Sequence, residues 1–566
     1  MSISMSALVP MPVVLPLLGA GLTLVFSRRP RTQRFVTIGV LAAVVVIAAV
    51  LLVASDREGP QVVWLGGWEG LGIALVADRL ATLMLLVSAV VTLLVLIYSL
   101  GQGMTGDERE APLSIYHPTF LVLVAGVSNA FLAGDLFNLF VSFEMLLFAS
   151  YVLLTLGGTG TRIRAGTIYV VVNMLSSMLF LISLAAVYAA MGTLNFAQLA
   201  ERVPELSHTT SLVLHLLLLV TFAIKAAVFP LSFWLPDSYP TAPAPVTAVF
   251  AGLLTKVGVY AILRVQTLIF PDHSVGDVLL WAALLTMVIG ILGAVAQSDI
   301  KRMLSFTLVS HIGYMIFGIG LATESGVSGA IFYVAHHITI QTALFLVVGL
   351  VEHRAGSTAL LRLGGLARLS PLLALLFFVP AMNLAGIPPM SGFLGKVGLL
   401  QAGLDDGSWL AITLVVGGVL TSLLTLYAVA KTWALAFWRS PIQAHEMAKQ
   451  LPELEGELDD AQLAAGMRVH RAHVHVGGAA FDSRDLAAAR RVIDDEAPDR
   501  DLYQRLREGS LPKKMPTMMV LPTAALITIS LVLTLVAGPL FALTDRAASD
   551  LLERTPYLTA VLGDDS

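Results

Sequence analysis

The chain has 566 residues, of which 57% are hydrophobic and 13% charged; its formal net charge is −4 and its mean hydropathy +0.84. A soluble domain carries roughly twice that share of charge, so lipid is the solvent for most of this chain, and without a basic excess a nucleic-acid partner has no support. Cysteine is absent, which excludes disulfides, thiolate nucleophiles, and zinc or iron–sulfur centres built on cysteine.

The first apolar run, near 7–26, has no basic n-region, exceeds the length of a signal-peptide core, and is followed by Arg28 and Arg29. It reads as a retained membrane helix. A spanning helix takes about 20 apolar residues. Further runs of that kind lie near 33–54, 76–99, 117–135, 136–156, 167–190, 211–231, 244–265, 278–296, 303–321, 327–352, 371–400, 409–437 and 516–543. The expected fold class is an all-α integral membrane protein of about fourteen transmembrane helices.

Basic residues favour the cytoplasmic side of a membrane. They cluster in the first loop (Arg28, Arg29, Arg31, Arg34), the fifth (Arg162, Arg164), the ninth (Lys301, Arg302) and the eleventh (Arg354, Arg362, Arg368). Intervening loops carry Glu201 and Glu205, Asp272 and Asp277, Glu324, and Asp405 and Asp406. The alternation fits fourteen spans with both termini outside. Residues 440–515 are hydrophilic, with stretches such as Glu453–Asp460 and Ala487–Asp501, and read as a cytoplasmic insertion, part helical and part disordered. His470, His473 and His475 within it read as a solvated loop rather than a metal site.

An ionisable group at mid-bilayer costs about 2.5–3.5 kcal/mol on insertion scales, and such groups mark function. They are Glu144 in the fifth span, Lys225 in the seventh, Lys256 in the eighth, His311 in the tenth, His336 and His337 in the eleventh, Lys396 in the twelfth and Lys431 near the end of the thirteenth. Lys431 lies where snorkelling is ordinary. His311 reads equally as a satisfied interhelical hydrogen-bonder, and Glu144 as half of a structural ion pair. Lys225 and Lys256 are well inside their spans. A lysine taken out of water surrenders its proton more readily, and a nearby carboxylate opposes that. Glu144 and Lys225 are therefore expected to form a pair that stores or releases a proton as its separation changes.

Backbone breaks accompany these lysines. The seventh span runs Lys225-Ala-Ala-Val-Phe-Pro230, and the twelfth contains Gly386-Ile-Pro388-Pro389-Met-Ser-Gly392. Proline removes a helix donor, and in lipid a broken helix lines a protein-buried or wet cavity. Broken helices in corresponding positions of two halves characterise inverted-repeat transporters; the alternative is a pair of packing kinks. The run Ser391-Gly-Phe-Leu-Gly395-Lys396-Val397 fails as a phosphate loop: Met390 stands where the first glycine is needed and Val397 where Ser or Thr should hold magnesium. No dinucleotide fingerprint, zinc-protease helix or nucleophile elbow is present, so no cofactor or metal is expected.

The segment Phe222-Ala-Ile-Lys225-Ala-Ala-Val-Phe-Pro230-Leu-Ser-Phe-Trp234-Leu-Pro236-Asp237, with Ala242-Pro243 and Leu254-Thr-Lys256-Val-Gly258-Val-Tyr260, resembles the antiporter-like subunits. These are shared by respiratory complex I, membrane-bound hydrogenases and the multisubunit Mrp cation/proton antiporters. The likeness covers roughly 75–437. It implies two inverted five-helix repeats, 117–265 (helices 4–8) and 278–437 (helices 9–13), behind three N-terminal helices in 1–116; helix 14 and an external tail occupy 516–566. It also implies roles: Glu144 and Lys225 as the paired groups of repeat one, Lys256 as the central lysine, His311 with His336 or His337 along a central polar axis, and Lys396 as the twelfth-helix ionisable group. Gln341 departs from the pattern, since many relatives carry lysine there; water or the two histidines are left to bridge Lys256 and Lys396.

Lys396, the opening Leu8-Val-Pro-Met-Pro-Val-Val-Leu-Pro-Leu-Leu-Gly19, and His336-His337 most resemble the Mrp D-type branch, although 440–515 is longer than expected for it. The resemblance implies a proton-translocating subunit of a multisubunit Na+/H+ antiporter in the cell membrane. It would be a secondary transporter rather than an enzyme, partnered by the other Mrp subunits. The alternative is a proton-pumping membrane subunit of a complex I-like NADH-quinone oxidoreductase or a membrane-bound hydrogenase. A third reading is a scaffold with inert buried pairs.

Overall fold

The structure is a computed structural model that describes residues 5–68, 72–102, 113–272, 274–446, 502–512 and 514–563. Among the described residues, thirteen helices are long and apolar enough to cross a membrane. The chain is a multi-pass membrane protein.

In chain order the helices are α1 (Met11–Val25), α2 (Pro30–Glu58), α3 (Arg79–Gly101), α4 (Leu113–Leu132), α5 (Leu136–Thr155), α6 (Gly160–Met191), α7 (His208–Ala226) and α8 (Ala244–Ile269). They continue as α9 (Gly276–Ala296), α10 (Ile300–Leu321), α11 (Glu324–Ala355), α12 (Pro371–Ala385), α13 (Ser391–Asp406), α14 (Trp409–Trp438), α15 (Thr517–Leu535), α16 (Ala537–Glu553) and α17 (Thr555–Leu562).

Both expected breaks are present. α7 stops one residue after Lys225, where Ala227 turns left-handed with φ 58°. The run expected as one twelfth span over 371–400 is two helices, because Gly386 ends α12 at φ 85° and Pro388-Pro389 cannot continue it. The peptide bonds before Pro230 and Pro389 are cis.

Two features differ from the sequence reading. The expected fourteenth span, 516–543, ends at Leu535, and the following tail folds into α16 and α17. The tail is anchored: Ser328 Oγ bonds Asp545 at 2.5 Å, Arg79 pairs with Asp550, and Arg546 pairs with Asp56 at 2.9 Å. Among the described residues there is also one antiparallel strand pair, β1 (Gln61–Trp64) and β2 (Ala74–Ala77), with Gln61 opposite Ala77. Most of 440–515, with Glu453–Asp460, Ala487–Asp501 and His470, His473 and His475, lies outside the described residues. Its two ends meet where His445 packs 4.9 Å from Tyr503.

α8, α10 and α11 form the interior, buried along nearly their whole length. Glycines let them close in on their neighbours. A Cβ at Gly258 would sit 2.6 Å from the Ala226 backbone N, so α8 lies directly against the end of α7. A Cβ at Gly290 would sit 2.5 Å from Ser310 N, which presses α9 onto α10. The periphery keeps apolar side chains outward, as at Val171, Leu175, Met178 and Ile182 along one face of α6, where the surroundings are apolar too.

Candidate functional site

Lys225 occupies the last turn of α7 and is 6% exposed. The break frees carbonyls there, and Trp234 Nε1 donates to one of them, Ile224 O, at 3.2 Å. Lys225 Nζ donates to Ser177 Oγ at 3.1 Å and Asn173 O at 3.4 Å, and lies 5.5 Å from the centre of the Phe143 ring. Glu144, beside Phe143 on α5, is half-buried, and its Oε1 is buried without a hydrogen-bond partner. No ion pair within 4.0 Å joins Glu144 to Lys225. The structure therefore holds the two groups apart. Beside Lys225, a cavity lined by Phe143, Asn173, Trp234 and Tyr239 has about 20 Å³ of room, which is enough for one water.

Lys256 is fully buried on α8. It follows a π-helical stretch, Phe250–Leu254, whose wider turn alters the backbone bonding. Ala251 O, five residues back, accepts from Lys256 Nζ at 2.6 Å. Thr255 Oγ1 next to it is buried and unpartnered.

From here the interior of α10 and α11 carries a row of buried polar side chains. Both ring nitrogens of His337 lack protein partners, and its ring lies 5.1 Å from that of His311. His311 Nδ1 is 2.8 Å from Tyr333 Oη. The Tyr333 ring is 5.6 Å from the His336 ring, and His336 Nδ1 is 3.0 Å from Ser391 Oγ at the start of α13. Asn383 Nδ2 on α12 donates to the same Ser391 Oγ at 3.2 Å, while Gly392 N donates to Asn383 Oδ1 at 2.8 Å. The row thus reaches the twelfth-span break.

Lys396 stands across that break. Its Nζ donates to Leu384 O at 3.2 Å, Ala385 O at 3.1 Å and Ser422 Oγ at 3.0 Å. The two carbonyls belong to the last turn of α12, so the ammonium meets both the orphan acceptors and the negative end of the helix dipole. Its other face lies 5.3 Å from the centre of the Tyr314 ring.

The structure therefore brings Lys256, His311, His336, His337 and Lys396 into one buried region, with Lys225 and Glu144 in an adjoining one. Gln341 donates to Leu304 O at 2.8 Å, and its Oε1 is buried without a partner. That orphan joins those on Thr255, His311, His336 and His337. Buried polar atoms left over in this way are normally met by internal water. Lys431, near the end of α14, donates to Val295 O at 2.9 Å and Gln297 O at 3.1 Å, closing the end of α9.

Sequence reasoning missed Tyr333, Ser391, Asn383 and Ser422 as members of the site. Tyr333 precedes His336 and His337 by three and four residues, which is the spacing of one helix face. Ser391 sits inside the break already singled out. Asn383 and Ser422 left no local signal.

A family model described as the transmembrane part of NADH:quinone oxidoreductase and Mrp antiporter subunits matches residues 133–422, more than half of the chain. The chain belongs to this NADH:quinone oxidoreductase/Mrp antiporter family. The matched stretch includes every site residue from Glu144 to Lys396. The D-type Na+/H+ antiporter subunit of Alkalihalophilus pseudofirmus is 42% identical over 451 residues, covering 78% of this chain and 90% of that relative. Its Bacillus subtilis counterpart is 39% identical over 455 residues, covering 79% and 91%. Among solved structures, a chain of the Mrp complex from a Dietzia species matches with a TM-score of 0.82, 33% identity and full coverage of both chains. A chain of the membrane-bound sulfane sulfur reductase, an archaeal respiratory membrane complex, matches with a TM-score of 0.78 at 24% identity and shares the fold.

Proposed function

We propose that this chain is the proton-translocating, D-type subunit of a multisubunit Na+/H+ antiporter, and that it works in a hetero-oligomeric membrane complex. The observation that carries the proton path is the buried row from Lys256 through His337, His311, Tyr333 and His336 to the break beside Lys396. The antiporter reading over a redox pump rests on the two D-type antiporter relatives, matched over about nine-tenths of their length.

In this reading a proton enters repeat one, 117–265, near Lys225 and passes to Lys256. It crosses the histidines with the help of water and leaves repeat two, 278–437, by way of Lys396. Each repeat holds one broken helix with a lysine beside the break, which supports the assignment of two related halves. The separation between Glu144 and Lys225 is the switch. Closing it favours the ammonium and opening it favours release. Moving one charge across the membrane is worth about 2.3 kcal/mol per 100 mV, so the switch has to be of that order. The basic loops face the cytoplasm and both termini the exterior, on the positive-inside rule.

The test uses everted vesicles carrying the whole complex with Lys256→Ala. Sodium-induced proton movement is expected to disappear. Undiminished exchange in a correctly assembled mutant complex would leave only the scaffold reading. The matched family model also covers NADH:quinone oxidoreductases, so a second reading is a proton-pumping subunit of a redox complex. Flavin or iron–sulfur subunits in the purified complex would decide for it.

A further inference from the structure

A second buried polar cluster lies away from the central row, where α4 turns into α5. The turn is stitched to three other segments. Gly134 N donates to Ala74 O, Leu136 N to Leu194 O, and Phe196 N to Gly134 O, and Asp135 pairs with Asn195 as an isolated antiparallel bridge. Tyr260 Oη on α8 donates to Phe131 O at 2.6 Å. Arg264, one turn further along α8, donates from Nε to Tyr260 Oη at 2.9 Å and forms a buried ion pair with Asp78 at 2.6 Å. Tyr557 of α17 closes the cluster, its ring 5.5 Å from the Arg264 guanidinium carbon.

Four polar atoms here are buried and have no partner: Asp135 Oδ2, Asn195 Nδ2, Arg264 Nη1 and Tyr557 Oη. Their residues are all at least nine-tenths buried. One atom only accepts, two only donate, and one does either. A sodium ion needs several oxygen acceptors and would be repelled by Arg264, so this set does not suit one. It suits water, which both donates and accepts. Lys256, Tyr260 and Arg264 are spaced by four along α8, so they line one face of that helix.

We propose that Asp135 is a further proton-carrying residue, which exchanges protons with internal water held at these four orphaned atoms and passes them along the Tyr260 face of α8 toward Lys256. This deepens the transport reading above and rests on it. Asp135 Oδ2 takes a proton from a hydronium among this internal water, leaving water, and gives it back to water on the Tyr260 side. Oδ1 stays committed to capping α5, accepting from Asn138 N at 2.6 Å. The titratable groups of the cluster around Asp135 are Asp78 from the start of α3, Tyr260 and Arg264 from α8, which are joined through Arg264, and Tyr557 from α17. Burial pushes the Asp135 carboxyl up to about 6, against two backbone N–H groups at the start of α5 that pull it down.

The experiment uses the purified whole complex in membranes. Infrared difference spectra are recorded across a pH titration, alongside sodium-driven proton exchange, for the wild type, Asp135→Asn and Tyr557→Phe. Asparagine caps a helix as well as aspartate does, so α5 keeps its start. The expected result is a protonated-carboxyl band that titrates near pH 6 in the wild type and is missing in Asp135→Asn, with exchange in that variant reduced to background. Tyr557→Phe should shift the pH profile of exchange. An identical carboxyl band in Asp135→Asn, or wild-type exchange with an unchanged pH profile, overturns the proposal. If Asp135→Asn does not assemble, an unchanged profile in Tyr557→Phe overturns it. The carboxyl band does not depend on transport, so an intact band together with undiminished exchange in Lys256→Ala would sink the transport reading, and with it the route toward Lys256, while leaving the titration of Asp135 in place.

Discussion

The hydroxyl of Tyr333 lies 2.8 Å from Nδ1 of His311, joining α11 to α10 at the middle of the buried row. The same tyrosine ring packs 5.6 Å from Tyr314, which in turn packs against Lys396. Tyr333→Phe keeps the ring and removes only the hydroxyl. A hydrogen bond is worth about 0.5–1.5 kcal/mol, so sodium-driven proton exchange in everted vesicles should slow by up to about tenfold. Assembly of the complex should be unchanged.

Lys396 both carries charge and satisfies the last carbonyls of α12. Lys396→Ala should therefore abolish exchange and also lower the thermal midpoint of the complex, since each orphaned buried acceptor costs about 1–3 kcal/mol. Lys225→Ala and Glu144→Ala should impair exchange too. A Glu144→Ala complex that exchanges at the wild-type rate would remove the switch from the mechanism.

Lys431 bonds the carbonyls ending α9 and touches no member of the row. Lys431→Ala should leave exchange close to wild type and cost about 0.3–1 kcal/mol of stability, the value of a cation at a helix C-terminus. A paired melt and vesicle assay on the same preparation separates the two effects.

Gly258→Ala should destabilise the complex, because its new Cβ would lie 2.6 Å from a backbone atom of α7 that has no freedom to move. Overpacking of this kind costs about 1–3 kcal/mol. Gly21→Ala meets open space and serves as the control in a thermal unfolding comparison.

Stability should also respond to pH through Asp135. Its carboxyl is raised from 3.8 to about 6 by burial. The folded chain then holds a proton there that the unfolded chain has lost, so the stabilising contribution is complete below about pH 4 and is lost as pH rises through 6. The thermal midpoint should fall between pH 5 and pH 7 less steeply in Asp135→Asn than in the wild type.

Much of the fold was legible because a membrane span is a local property of the chain. About twenty apolar residues in a row identify one, and thirteen such helices stand among the described residues. The breaks after Lys225 and at Pro388-Pro389 were legible for the same reason, since proline and glycine act on their own turns. The end of the last span was not. Residues 536–543 are as apolar as the helix before them, and only the docking of Thr544, Asp545 and Asp550 onto α11 and α3 reveals a separate tail helix.

The sequence by itself marked Glu144, Lys225, Lys256, His311, His336, His337 and Lys396 as ionisable groups inside apolar spans, because an apolar run around a charge is a local property of the chain; it passed over Asp135, His215 and Arg264, which the fold also buries. The tertiary structure alone decided which of them meet. Tyr333, Ser391 and Asn383 join the histidines, Lys396 closes a broken helix, Glu144 and Lys225 stand apart, and Lys431 serves as a cap. Those relations arise where helices distant in sequence cross, and no local period along the chain encodes a crossing.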